Sequence, residues 1–103
     1  MARVALLVPD LLFGSQVEGA LGAAGHEVLR GDAQGVDVLV VDLTADDIDM
    51  EAIGARGDAA TLGFYPHVDV ETRRRAEAAG FDMVVPRSRM NREGAALVDR
   101  LAS

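Results

Sequence analysis

Cysteine is absent from this chain. Disulfides, thiol catalysis and zinc sites built on thiolates are excluded with it. Lysine is absent too, so all ten basic residues are arginine. No apolar run approaches the roughly 20 residues that cross a bilayer. The N-terminus carries neither the basic start nor the cleavage site of a secretory peptide. The expected setting is therefore cytoplasmic, with no membrane partner. Linkers, internal repeats and low-complexity tracts are missing as well. The 103 residues leave room for a single domain, 1–103, with a single core.

Half of the residues (50%) are apolar, and the net charge is −7. That composition suits a globular protein, and the charge argues against nucleic acid as a partner. The charge is uneven. Residues 1–68 hold three Arg against eleven acids, a balance of −8, whereas residues 69–103 hold seven Arg against six acids, or +1. The C-terminal third can therefore present a basic face on an acidic protein.

RVALLV (3–8), VDVLVV (36–41), ATLGFY (60–65) and FDMVV (81–85) are short apolar runs bounded by turn residues. That is the pattern of strands covered on both faces, and HEVLR (26–30) is a briefer candidate. From Leu12 to Ala24, the residues Phe13, Val17, Ala20, Leu21 and Ala24 recur at helical spacing, and Gly25 fits the helix end. Thr44 and Asp47 read as a capping-box variant before a helix over roughly 46–55. Its acids Asp46, Asp47, Asp49 and Glu51 suit the positive helix N-terminus. Asp69 caps a helix running to Ala79 and closed by Gly80. A last helix, about 88–101, sets Met90, Gly94, Leu97, Val98 and Leu101 on one stripe.

Strands alternating with helices predict an α/β fold: a parallel sheet with helices on both faces. The expected form is a three-layer, flavodoxin-like sandwich with five strands in the order 2-1-3-4-5. Only five to seven residues around GDAQG (31–35) join the second and third strands. That is too few for a crossover helix of usual length, so this helix is expected to be short or missing. Ligands in such folds sit at the carboxyl ends of the strands. Those ends carry Pro9, Asp10, Asp42, Tyr65, His67, Arg87 and Arg89.

With LLVPD, LVVDL, LGFYPH and MVVPRS closing the first, third, fourth and fifth strands, nearly the whole chain resembles the receiver (CheY-like) domain of bacterial response regulators. The resemblance implies a part in two-component signal transduction. In that family two acids end the first strand and, with the phosphorylated aspartate ending the third, hold Mg²⁺. A Thr or Ser ends the fourth strand and a Lys, followed by Pro, ends the fifth; these two hold the phosphoryl oxygens. Here Asp10 stands for one acid of the pair, and Pro9 replaces the other. Asp42 takes the phosphoacceptor position. Tyr65, or an immediate neighbour, stands where the small hydroxyl residue would be. Pro86, followed by Arg87, stands where the lysine would be.

The likeness is thus to a degenerate pseudo-receiver, with Asp10 and Asp42 left as a vestigial Mg²⁺ site. Arg87 or Arg89 is the replacement cation, by a different approach path because arginine is longer and planar. In receivers the helix after the fourth strand and the last strand and helix form the output surface. That places Arg73, Arg74, Arg89 and Arg92 on or near a partner-facing surface. An acidic segment of another protein, or the acidic half of a second copy in a homodimer, is its complement.

Other motifs add little. His67 and Asp69 in FYPHVD are a possible metal pair, but Asp69 is better used as a cap, which leaves His67 with Tyr65 at the crevice rim. The three arginines of ETRRRAEAAG (71–80) spread around a helix, lack interleaved stacking aromatics and have Glu71 and Glu77 as neighbours. GAAGHEV and GARGDAA do not have dinucleotide or P-loop spacing. No nucleophile–base pair, metal cluster or cofactor loop is visible. An enzyme with its own turnover is not expected, nor a cofactor beyond weak Mg²⁺. The expected function is a receiver-like signalling module acting through protein–protein interaction without routine aspartyl phosphorylation. The alternatives are a phosphorylatable single-domain response regulator with Asp42 as acceptor, and a sensor of a small polar ligand bound in the crevice.

Overall fold

In a computed structural model, which describes residues 1–66 and 68–103, the five apolar runs become strands. They are β1 (Arg3–Leu7), β2 (Glu27–Arg30), β3 (Val38–Asp42), β4 (Ala60–Tyr65) and β5 (Met83–Pro86). Among the described residues four helices alternate with them: α1 (Leu11–Ala23), α2 (Met50–Gly54), α3 (Val70–Ala79) and α4 (Arg87–Ala102). Every strand pairing is parallel, and the order is β2-β1-β3-β4-β5. This is the sheet expected from the sequence.

Side chains alternate across the strands, so each strand feeds two cores. Val4, Leu6, Val38, Val40, Leu62 and Phe64 meet Phe13, Val17 and Leu21 of α1 and Met90, Leu97 and Val98 of α4. Ala5, Leu39, Val41 and Tyr65 meet Met50, Ala76 and Phe81 on the α2–α3 side. The edge strand β2 is only half-buried, so it is less covered than its apolar run suggests. His26, just before β2, ties the two ends of the chain together. Its Nδ1 accepts the Ala2 N–H at 3.0 Å, which leaves Nε2 to donate to Asp99 of α4 at 2.6 Å.

Several element starts differ by one or more residues from the sequence reading, among them β3, which begins at Val38 rather than 36; two of the shifts have a clear hydrogen-bonding reason. The second helix begins at Met50 rather than near residue 46, because its cap is Asp49, whose Oδ1 accepts the Ala52 N–H at 3.1 Å. Thr44 forms no capping box with Asp47; its hydroxyl donates to Asp42 instead. Glu51 is therefore the one acid left in the first turn. The fifth strand begins at Met83 rather than residue 81. The Phe81 N–H closes α3 on the Ala76 carbonyl at 3.2 Å. Asp82 is held by Thr61: its Oδ2 accepts the Thr61 N–H at 2.8 Å, and its own N–H donates to the Thr61 hydroxyl at 3.0 Å.

No helix joins β2 to β3; residues 31–37 form an irregular link. Arg30 lies opposite Leu6 and Val38 opposite Val4, so the link must return two residues along the strand axis and cross β1. That is about 7 Å along and about 10 Å across, a diagonal of roughly 12 Å before any rise off the sheet. Coiled as a helix, the link would reach only about 10 Å; uncoiled, it reaches up to about 25 Å. The crossover helix is missing because it would not span the gap.

The α2–α3 layer rests on a close backbone approach. A Cβ built on Gly54 would lie 2.2 Å from the Ala79 carbonyl oxygen, and Gly80, at φ 105°, ends α3 in the left-handed region beside it. Gly19, on the exposed side of α1, has nothing within 4 Å. Gly54→Ala is therefore expected to destabilise by about 1–3 kcal/mol through forced separation of two helices. Gly19→Ala is expected to stabilise by about 0.4–1 kcal/mol by restricting the unfolded chain. Urea midpoints of the two variants, measured side by side, should move in opposite directions.

Candidate functional site

The carboxyl ends of the strands carry the polar residues singled out in the sequence, and the fold sorts them into separate groups. Asp10 follows β1 and caps α1, with Oδ1 accepting the Phe13 N–H at 2.9 Å. Its Oδ2 accepts from Nη2 of Arg87 at 3.1 Å. Arg87 opens α4 directly after Pro86. Its guanidinium also lies 4.2 Å from the centre of the Phe13 ring, a cation–π distance, and Phe13 packs on Phe64 at 5.2 Å. Asp10, Phe13 and Arg87 thus make one unit that fastens the starts of α1 and α4 together. The Phe13 N–H, and after it the Arg87 guanidinium, hold the Asp10 carboxyl below its ordinary value.

Asp42 ends β3 half-buried, in register with Phe64. Its Oδ1 accepts both the Thr44 N–H at 3.1 Å and the Thr44 hydroxyl at 3.0 Å. The carboxylate is turned onto its own loop in an Asx-type turn. Arg87 makes its ion pair with Asp10, not with Asp42.

Two expected crevice residues sit elsewhere. Tyr65 is buried among Leu39, Val41 and Ala76 rather than lining a rim, because its side chain takes the α2–α3 face of β4. Arg89 lies two positions beyond Arg87 on α4 and pairs with Glu93 at 3.5 Å. His67 falls outside the described residues. Asp69 is occupied as the cap of α3, accepting the Thr72 N–H at 3.1 Å and the Thr72 hydroxyl at 2.7 Å. Arg73 and Arg92 are exposed and pair with Glu77 and Glu93 at 3.5 and 3.4 Å. Arg74 is exposed.

Three contributors were not singled out from the sequence as site residues. Helical spacing alone marks Phe13 as core. Its place three residues after the capping Asp10 is the signal that brings its ring over the strand ends. Spacing alone suggests Thr44 as a cap, whereas its hydroxyl partners Asp42. Arg30 reaches from β2 under α1, where Nη2 donates to the Val8 carbonyl at 3.2 Å. Gly14 makes room for it, since a Cβ there would lie 2.6 Å from that nitrogen.

Mg²⁺ takes a near-octahedral shell of oxygens, several of them from water, with one or two carboxylates from the protein. Among the described residues no three acids, histidines or cysteines stand close enough to hold a metal ion. Both oxygens of Asp10 are engaged, and Arg87 supplies the positive charge that Asp10 faces.

No family model matches the chain, and no curated protein matches it either. Solved structures do match in shape. The receiver domain of Francisella response regulator 1452 superposes with a TM-score of 0.84 at 12% identity, covering 99% of this chain and 97% of that one. A putative response regulator from Chloroflexus aurantiacus gives 0.84 at 16% identity over 98% and 97%. NtrX from Brucella abortus gives 0.83 at 14% identity over 98% of this chain, which spans only 26% of that longer protein. The chain has the fold of response-regulator receiver domains.

The depressed Asp10 carboxyl has a stability consequence. A group whose value is lowered on folding favours the folded state above its unfolded value, and that contribution is lost as pH falls through the folded value. The thermal midpoint of Asp10→Asn should lie below that of the parent near neutral pH. The gap should close as pH drops below about 4. Thermal melts of both proteins across the acid range check this, and a gap independent of pH would contradict it.

Proposed function

We propose that the chain is a receiver-like signalling module, residues 1–103, that works in the cytoplasm by binding another protein, without routine phosphorylation of Asp42. One observation carries the reading: the cation at the end of β5, Arg87, is committed to Asp10 at 3.1 Å and to the Phe13 ring at 4.2 Å. A phosphoryl group on Asp42 would need a cation free to turn toward it, and lysine is absent from the chain. The receiver-domain shape of the neighbours supports a signalling role. The acidic body and the arginines of the C-terminal third support a charged partner, and they suit an acidic segment or a second copy of this chain. Arg73 and Arg74 on α3 and Arg92 on α4 are the proposed contacts.

A second reading keeps Asp42 as a phosphoacceptor. It is favoured by the half-buried carboxylate at the end of β3, where the receiver resemblance places the acceptor.

Incubation with acetyl phosphate and Mg²⁺, followed by intact mass measurement, separates the two. The expected result is no stoichiometric phosphoryl adduct. An adduct that forms in the parent and disappears in Asp42→Asn establishes the second reading instead. Size-exclusion chromatography over a range of concentrations tests the homodimer: a retention volume that moves with concentration, and stops moving in Arg73→Glu/Arg74→Glu, is the outcome expected if the partner is a second copy.

A further inference from the structure

The chain steps in one direction along the sheet from β2 through β3 and β4 to β5. Right-handed crossovers in that direction lie on one sheet face, the face that α2 and α3 cover. A helix between β2 and β3 would have lain there too, beside α2 and over β1 and β2. The short link cannot supply it. Leu7, Leu29, Ala33, Ile48 and Ile53 on that face are consequently only partly buried.

The space left is a trough. Two hollows of about 680 and 700 Å³ share Asp32, Ala52 and Ile53. Leu7 forms the floor at the end of β1, where Leu6 and Val8 turn their side chains to the opposite core, and Ile48, Ala52 and Ile53 form the α2 wall. Ala33 and Gln34 of the link stand opposite.

The trough also has a charge preference. Arg56 is held by Asp32 at 2.6 Å and by Asp58 at 3.1 Å, and Arg30 by Glu18 at 3.3 Å. Its two cations are therefore neutralised within the chain. Asp47 and Asp49 line it, Asp46 precedes them, and none of the three has an ion-pair partner among the described residues. The uncompensated charge is negative.

We propose that this trough docks an amphipathic helix of a partner protein, apolar along one stripe and flanked by Arg or Lys, which completes the missing layer. An α-helix lying in an apolar groove uses contacts at i, i+3, i+4 and i+7, and basic flanks would answer Asp46, Asp47 and Asp49. Among the described residues, α1, α3 and α4 already turn Val17, Leu21, Ala76, Met90, Leu97 and Val98 onto their own sheet, and their exposed Leu11, Leu12 and Val70 lie at helix starts rather than along a stripe, so a second copy is the poorer occupant. Nucleic acid and anionic lipid surfaces are repelled by the same aspartates. Docking here does not depend on whether Asp42 accepts a phosphoryl group.

The test titrates the full, isotope-labelled chain with helical peptides of about 15 residues, long enough to lie along the trough at about 22 Å. One peptide carries a leucine stripe with arginine flanks, another the same stripe with glutamate flanks. The arginine peptide should bind saturably and shift the amide signals of Ala33, Ile48, Ala52 and Ile53, while the glutamate peptide should not bind. Asp46→Asn/Asp47→Asn should weaken binding about fivefold and flatten its salt dependence. Ala52→Arg, at an exposed position of α2, should abolish binding with the thermal midpoint retained. Absence of saturable binding, equal binding of the two peptides, or shifts confined to α3 and α4 would overturn the proposal. So would self-association that shifts the trough amides, which would assign the trough to a second copy.

Discussion

A parallel strand with a helix-linked neighbour on each side has no face to turn to water, and every crossover must bring its own cover. That constraint organises this chain. Three crossovers meet it with α1, α2 and α3, and the terminal α4 completes the layer beside α1. The fourth, from β2 to β3, does not. Its link has to cross β1 within seven residues, so its cover is reduced to the buried Val36 and the half-buried Ala33. The sheet holds because β1 and β3 are still paired on both edges. Their central side chains Ala5, Leu39 and Val41 remain buried under what the link and α2 provide. The deficit is pushed outward, to the half-buried edge strand β2 and to Leu7 at the end of β1.

The strand ends show the same economy in electrostatic form. Placing two helix starts, α1 and α4, side by side brings two sets of unpaired N–H groups together. Asp10 answers one set by capping α1, and its remaining oxygen draws Arg87 across. Pro86, at the cap position of α4, offers no side-chain hydrogen bond, so α4 is fixed at its start by Arg87 instead. Exposed ion pairs contribute little alone. This one gains from the Phe13 ring beneath the guanidinium and from Phe64 behind that ring, which restrict the long arginine side chain before the carboxylate meets it.

Much of this was legible in the sequence, and the failures have physical causes. β1 and β3 could be placed from Val- and Leu-rich runs because their central residues are buried on both faces. The caps Asp10, Asp49 and Asp69 follow a local rule in which an acid accepts an N–H three residues on, but only Asp69 was assigned that way. At the second helix the rule had two claimants. Thr44 lay within reach of both Asp42 and the helix start, and spacing does not reveal which wins. Tyr65 was misplaced for a related reason. Phe64 and Tyr65 are both apolar in bulk and both faces of β4 are buried, so parity does not say which one ends at the rim. The Asp10–Arg87 pair was invisible because its members are 77 residues apart, joined only by the sheet order. The β2–β3 gap was the opposite case. Counting residues between two strands was enough to forecast it.

These departures act in one direction. A switch needs a side chain with two places to go and loops that rearrange between them. Arg87 is held from two sides, by a carboxylate and by an aromatic ring. Asp42 is tied back to Thr44 through two hydrogen bonds to one oxygen. Both contacts lie at the strand ends where ligands of this fold class are bound. Side chains already held before a partner arrives lose less freedom on binding, which strengthens binding without adding contacts. The incomplete layer beside α2 adds apolar area for a partner to cover. The held Asp10–Arg87 pair and the uncovered flank beside α2 are the two features on which the binding reading proposed above rests.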